Sequence, residues 1–401
     1  MRLPDAPPAP ADGALPAEAL AGLGARPLGI YVHVPFCAAR CGYCDFNTYT
    51  AAELPGGGAR AAYAHSALAE LDLAARTLGP GAPPASTVFF GGGTPTLLPA
   101  ADLAAVLDGI RERFGLAPGA EVTTEANPED VDAGALATLR EAGFTRVSIG
   151  MQSASPAVLA TLDRVHTPGA AERAVAEARA AGFEHVSLDL IFGTPGETDA
   201  AWRETLEAAV AAGPDHVSTY ALTVEPGTAL AARVRRGELP LPDDDVQAER
   251  YELADALLGA AGLEWYEVAS FAASDAARCR HNVNYWRSAD WWGIGPGAHS
   301  HVGGVRWWNV LHPTGYARRL ASGRSPAAGR EELDADTRRF ERVMLEIRMA
   351  EGLDLGLLSP AGRREAGALA AEGLLVVDGN RARLTLPGRL RADGIARDLT
   401  D

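Results

Sequence analysis

Tyr31-Val-His-Val-Pro-Phe-Cys37-Ala-Ala-Arg-Cys41-Gly-Tyr-Cys44 is the stretch of this 401-residue chain that decides its fold and most of its chemistry. The run from Leu28 to Val34 alternates and is rich in β-branched residues, so it reads as a strand. Three cysteines follow at C-x3-C-x2-C spacing on one short loop. Three thiolates so placed can hold three irons of a cubane [4Fe–4S] cluster and leave the fourth iron open to a small molecule. A structural zinc site normally takes four ligands in two pairs, and only Cys279, far away in sequence, remains as a fourth thiol. Four cysteines in 401 residues are too few for a disulfide framework.

Outward from this loop, short β-rich runs alternate with longer stretches of helical period as far as about Val234. Strands are predicted at Leu28–Val34, Ser86–Phe90, Glu121–Glu125, Arg146–Gly150, Val186–Leu190 and His216–Ala221. Helices are predicted at Ala59–Leu78, Ala101–Phe114, Val131–Ala142, Gly169–Ala181 and Ala200–Ala212. Consecutive β–α units imply parallel strands with right-handed crossovers, and six units fall short of a closed eight-stranded barrel. The unusual residues all follow the ends of these strands, which is the catalytic edge of such barrels. They are the cysteines, Gly91-Gly-Gly-Thr-Pro95, Glu125-Ala-Asn-Pro128, Gly150-Met-Gln152, Asp189-Leu-Ile-Phe-Gly-Thr-Pro-Gly-Glu197 and Tyr220-Ala221. Glycines admit close approach of backbone to a ligand, and Arg164 can pair bidentately with a carboxylate.

The cysteine run resembles the signature of radical S-adenosylmethionine (SAM) proteins. That resemblance implies SAM chelating the open iron through its amino and carboxylate groups, and one-electron cleavage to a 5′-deoxyadenosyl radical. The fold it implies is α/β: a partial (β/α)6 TIM-like barrel. More specifically, Tyr31–Cys37, Asp45-Phe46, the Gly91 motif, Ser148-Ile-Gly-Met-Gln-Ser153 and Leu222-Thr-Val-Glu225-Pro-Gly-Thr228 resemble the oxygen-independent coproporphyrinogen III dehydrogenase (HemN-like) family. Matching position by position, the resemblance implies cluster ligands Cys37, Cys41 and Cys44. It implies SAM contacts from Tyr31, Gly92, Gly93, Thr94, Glu125, Gln152, Arg164, Asp189 and Ala221.

Two features point to the haem-chaperone (HemW-type) branch of that family. The dehydrogenases carry a further cysteine two residues after the third, where this chain has Phe46. The string His281-Asn-Val-Asn-Tyr-Trp286 resembles the branch's hallmark H-N-x-x-Y-W. The branch implies a protein that binds the cluster, SAM and haem and transfers haem to acceptor proteins, membrane respiratory proteins among them. The alternatives are oxidative decarboxylation of coproporphyrinogen III to protoporphyrinogen IX, or a radical SAM enzyme acting on another substrate. For haem, His281 offers an axial imidazole and Tyr285 and Trp286 offer flat faces. Cys279, His299 and His301 compete as ligands, and a Trp-rich stretch also suits domain packing. Because His281 lies outside the barrel sequence, its site is expected to be separable from the cluster.

The remaining sequence sets limits. A net charge of −16 argues against a nucleic-acid surface, and all 36 basic residues are arginine, which excludes lysine Schiff-base chemistry. No run is apolar enough to span a bilayer, no signal segment is apparent, and the reduced thiols of an oxygen-sensitive cluster suit the cytoplasm. The expected organisation is a disordered Ala/Pro-rich lead-in (1–26), the barrel (27–235), an accessory α/β region carrying the H-N-x-x-Y-W string (236–325) and a small winged-helix-like α+β domain (326–401). In the accessory region a helix is predicted at Val246–Ala261 and a strand at Trp265–Ser270. In the last domain, helices Thr337–Ala350 and Pro360–Glu372 precede a hairpin turning at Asp378-Gly-Asn380.

Overall fold

The computed structural model describes residues 4–54, 57–164 and 166–400. Residues 1–3 of the lead-in, Val165 beside Arg164, and the terminal Asp401 lie outside the described residues.

Six strands form in the predicted order and lie parallel in that order in space. They are β1 (Leu28–Val34), β2 (Ala85–Gly92), β3 (Leu116–Ala126), β4 (Arg146–Gln152), β5 (His185–Phe192) and β6 (His216–Ala221). The alternation along each strand divides the barrel wall into two faces. Ile30, Val32, Val88, Phe90, Val122, Val147, Ile149, Val186, Leu188 and Val217 enter the main hydrophobic core. There they meet the connecting helices, represented by Leu71, Leu107, Leu139, Val175 and Leu206. The intervening positions face inward and are largely polar: Thr123 and Glu125 on β3, Arg146 and Ser148 on β4, Ser187 and Asp189 on β5, His216 and Ser218 on β6.

The helices begin where short polar side chains can cap them. Asp132 accepts from the amide of Ala135 ahead of Ala133–Ala142, and Thr198 from that of Ala201 ahead of Asp199–Ala211. Each such cap contributes about 1 kcal/mol. The predicted helix at Ala59–Leu78 is interrupted at Ala62, giving Gly58–Ala61 and Tyr63–Leu78.

The accessory region does not stand apart from the barrel. Its strands β7 (Glu264–Glu267) and β8 (Ser270–Ala272) form an antiparallel hairpin on β6, where a single strand at Trp265–Ser270 was predicted. Strand β9 (Asp290–Ile294) pairs parallel with β1, and β10 (His299–Val302), β11 (Val305–Asn309) and β12 (Ala327–Glu332) continue antiparallel beyond it. Among the described residues, twelve strands therefore make one sheet. Because β12 completes this sheet, the expected boundary at 325/326 falls inside the larger unit.

The lead-in is also corrected: residues 4–26 are packed against the protein rather than disordered. Pro8 bridges Gly329 on the edge strand β12, the amide of Arg330 donates to Pro7 (3.0 Å), and Ser325 donates to Ala11 (2.8 Å). The short helix Ala17–Ala21 buries Ala19. A proline-rich cover protects an edge strand whose free amides would otherwise invite pairing.

Helices Ala335–Glu346 and Pro360–Ala371 and the strands β13 (Leu353–Asp354), β14 (Leu375–Asp378) and β15 (Arg381–Leu384) form a second unit. It has its own core, including Val343, Ile347, Leu369, Leu384 and Ile395. Arg389 fastens it to the larger unit, donating to Asp255 (2.7 Å) and lying 4.4 Å over the ring of Trp265.

Candidate functional site

The inward faces of the six strands enclose a cavity of about 600 Å³ that opens at their carboxyl ends. Cys37, Cys41 and Cys44 are half-buried on its wall. Their loop is held by backbone bonds. The Cys37 amide donates to Tyr49 (3.0 Å), the Gly42 amide to Leu162 (3.0 Å), and the Leu230 amide to Gly42 (2.7 Å). Further back, Asn47 donates to the carbonyls of Pro296 (3.0 Å) and Leu311 (2.8 Å), and its own carbonyl meets His33 Nε2 at 2.9 Å. Burial, followed by the neighbouring Cys44, pushes the Cys37 thiol up to about 11. The thiols thus sit close enough to oppose one another's ionisation, and bound iron would take them as thiolates.

The Gly91 motif leaves β2 beside this loop. Gly92 has φ +110, and a Cβ there would lie 2.4 Å from the His33 ring. A Cβ on Gly93 would lie 2.6 Å from the Phe36 carbonyl oxygen. The glycines are required because the motif packs directly on β1, with amides of Gly93 and Thr94 donating to Val34 (2.8 Å) and Phe36 (2.7 Å). The Gly92 amide donates to Glu125 (3.0 Å).

Four carboxyls line the cavity, Asp45, Glu125, Asp189 and Glu225. Burial, followed by the charge of Asp189, pushes Glu125 up to about 8, and burial also raises Asp189, which accepts from Ser148 (2.9 Å). Gln152 ends β4 at φ 63, a left-handed conformation costly for a side-chain-bearing residue and concentrated at functional sites. Arg164 donates to the Gly150 carbonyl (2.8 Å) and approaches Cys41 Sγ at 3.5 Å, so one guanidinium ties the end of β4 to the cysteine loop. Tyr31 and Ala221 complete the lining; the Tyr31 hydroxyl lies 3.0 Å from His33 Nδ1.

The floor of the cavity was not anticipated from the sequence. Glu121 and Arg146 form a buried ion pair (3.2 Å) beneath the polar lining. Arg146 also donates to Ser187 (3.0 Å) and to the carbonyls of Ala277 (2.6 Å) and Arg278 (3.0 Å). Glu121 accepts from the amides of Arg280 (3.1 Å) and His281 (2.9 Å). The available signal was a lone Glu and a lone Arg at inward positions of adjacent strands, since charges so placed need a partner.

This clamp draws the H-N-x-x-Y-W helix, Arg280–Trp286, under the barrel, which corrects the expectation that its site is separable from the cluster. His281 and Tyr285 line the same cavity as the cysteines, so the two sites are not separate; Trp286 does not line it. Both His281 nitrogens have hydrogen-bond partners. Its Nδ1 meets Thr87 Oγ1 at 2.8 Å and its Nε2 the Tyr285 hydroxyl at 2.9 Å. Its ring stacks on Phe89 at 5.3 Å, and burial lowers it to about 3, so it is neutral. Cys279 is equally enclosed, its thiol pushed up to about 12 by burial and then by Glu121. His301 Nδ1 meets the Ala289 carbonyl at 2.9 Å.

The donor set fits the cofactors the sequence implies. Three thiols free of disulfides face one cavity, a glycine turn lies beside them, and carboxyl, amide and guanidinium groups surround the remaining wall.

Comparison with known proteins agrees. Residues 31–209 match the family model of the radical SAM superfamily. The chain is 56% identical to heme chaperone HemW of Mycobacterium tuberculosis (strain CDC 1551 / Oshkosh) over 380 residues, covering 95% of this chain and 96% of that protein. The chain belongs to the HemW family of radical SAM proteins. Its similarity to heme chaperone HemW of Escherichia coli (strain K12) is 36% over 91% of this chain and 96% of that one. The solved structure of coproporphyrinogen III oxidase (HemN) from Escherichia coli superposes with a TM-score of 0.82 at 25% identity, covering 96% of this chain and 92% of that one. HemW membership is therefore expressed on a HemN-like fold. No helix among the described residues is long and apolar enough to cross a membrane.

Proposed function

We propose that this protein is a haem chaperone: it holds a [4Fe–4S] cluster on Cys37, Cys41 and Cys44, binds SAM beside it, and passes haem to acceptor proteins. The observation that carries the reading is full-length similarity to HemW proteins in a chain whose loop has Phe46 where the dehydrogenases have a further cysteine. When bound, the cluster supplies an open iron for SAM and one electron to its sulfonium.

The chain's own residues would act around that centre. The Gly92–Thr94 turn and Tyr31 would border the methionine end of SAM, with Glu125 accepting from its ammonium. Gln152, Arg164, Asp189 and the backbone at Ala221 would hold the carboxylate, ribose and adenine. Arg164 bears on both partners, since it already touches Cys41. The acceptors belong to the class of haem proteins, membrane respiratory proteins among them, and delivery would take place from the cytoplasm.

The HemN-like fold keeps one rival in view: oxygen-independent decarboxylation of coproporphyrinogen III. An anaerobic assay of the reconstituted protein with coproporphyrinogen III, SAM and a reductant separates the two. The chaperone reading expects haem binding and transfer to an apo-haem protein without protoporphyrinogen formation. Turnover at the rate of a genuine dehydrogenase would overturn it.

A further inference from the structure

The cavity is lined by polar groups such as Asp189, Ser148 and Ser218 and by aromatic rings, Tyr31, Phe89 and Tyr285 in depth and Phe46 and Tyr220 towards its opening. Phe46 is 57% exposed and Tyr220 is 48% exposed. Phe46 stands two residues beyond Cys44, and Tyr220 is the last inward position of β6. The hydrogen bond from Leu230 to Gly42 brings these segments together, and Tyr43, Ile191 and Leu222 form an apolar cluster there that also lines the cavity. A folded chain gains by burying such rings, so two aromatic side chains left open at the cavity mouth suit a flat apolar occupant.

The alternative location is closed. On the helix Arg280–Trp286, both nitrogens of His281 are taken by Thr87 and Tyr285, and its ring is stacked on Phe89 in the cavity wall.

We propose that haem docks at the cavity mouth, with its porphyrin face against Phe46 and Tyr220, and that the H-N-x-x-Y-W helix closes the floor instead of ligating iron. The proposal rests on the chaperone reading and assigns its site. Tyr220 serves as a face rather than an iron ligand, presenting its half-exposed ring at the opening. Stacking on two rings also frees the iron from strong protein ligation, which suits a carrier that must surrender its cargo. Phe46 gains a role: the residue that departs from the dehydrogenase pattern is the one that meets the macrocycle.

The test titrates the reconstituted protein anaerobically with haemin and with iron-free protoporphyrin IX. The wild type should bind both, because stacking does not need iron. Phe46→Ala and Tyr220→Ala should each weaken both about two- to tenfold, the range of an aromatic pair, and Phe46→Trp should restore binding. Cluster iron and SAM affinity should match the wild type, and Leu390→Ala, an exposed apolar residue outside the cavity lining, should change neither porphyrin affinity. Unchanged affinity in the Phe46→Ala/Tyr220→Ala double variant would overturn the proposal and assign the rim to a protein partner. Binding of haemin without protoporphyrin would overturn it in favour of ligation through iron. A wild type that binds neither would remove the chaperone reading itself.

Discussion

The rim and the floor of the barrel use the same kinds of residue for opposite ends. At the rim, three half-buried cysteines, Glu125 and Arg164 line open space. At the floor, Cys279, Glu121, Arg146 and His281 satisfy one another, with each His281 nitrogen and both Glu121 oxygens engaged. Residue type therefore does not distinguish a ligand site from a structural one. The distinction lies in whether the protein has already used the group's bonding capacity.

The largest effect that would break this comparison is at the cysteines. Replacing Cys37, Cys41 or Cys44 with Ser should take reconstituted iron from about four per chain to near zero, because thiolate cannot be replaced by a hard oxygen donor. Cys279→Ser should retain the iron. Iron analysis and the cluster absorption band decide it, and a cluster lost in Cys279→Ser would erase the division.

Next come the two arginines. Arg146→Met leaves Glu121 buried and unpaired and should cost ~3–5 kcal/mol in urea unfolding. Arg164→Met should cost less than ~1 kcal/mol of stability and lower SAM affinity instead. Equal stability losses in both would mean that the rim is as structural as the floor.

A third buried carboxyl sharpens the contrast. Glu70, on the helix Tyr63–Leu78, accepts from Gly295 (2.8 Å), Asn309 (2.8 Å) and Tyr316 (2.5 Å), and burial raises it from 4.5 to about 7. Between these values the folded state holds a proton that the unfolded state has lost. Its contribution to stability must therefore fall as pH rises from about 4.5 to 7 and level off above. Glu70→Gln should flatten that part of the stability–pH curve, and Glu70→Ala, which strands three donors, should cost ~3 kcal/mol at any pH.

The smallest effect is expected at His281. His281→Ala loses two hydrogen bonds and a stacking contact, about 2 kcal/mol by unfolding. A floor residue should leave the Soret band of bound haem unshifted, whereas an iron ligand would move it.

The cysteine spacing, the Gly91 motif and the six alternating strands were legible in the chain itself, because each is local. A period of two divides a strand's residues between two faces, and consecutive β–α units impose parallel order. The same locality located the rim, where strands end and glycines and polar residues gather.

What escaped were features made by partners distant in sequence. The lead-in reads as disordered until β12, more than 300 residues later, offers an edge to cover. The accessory strands read as a separate region until β9 pairs with β1. The H-N-x-x-Y-W string reads as an exposed cofactor segment until the Glu121–Arg146 pair holds it from beneath. From the sequence alone came which groups could bind a cluster, SAM or haem. Only the tertiary structure decided which of them remain free to do so, because a histidine or cysteine keeps its chemistry in any context but keeps its lone pairs only where the fold leaves them unpartnered.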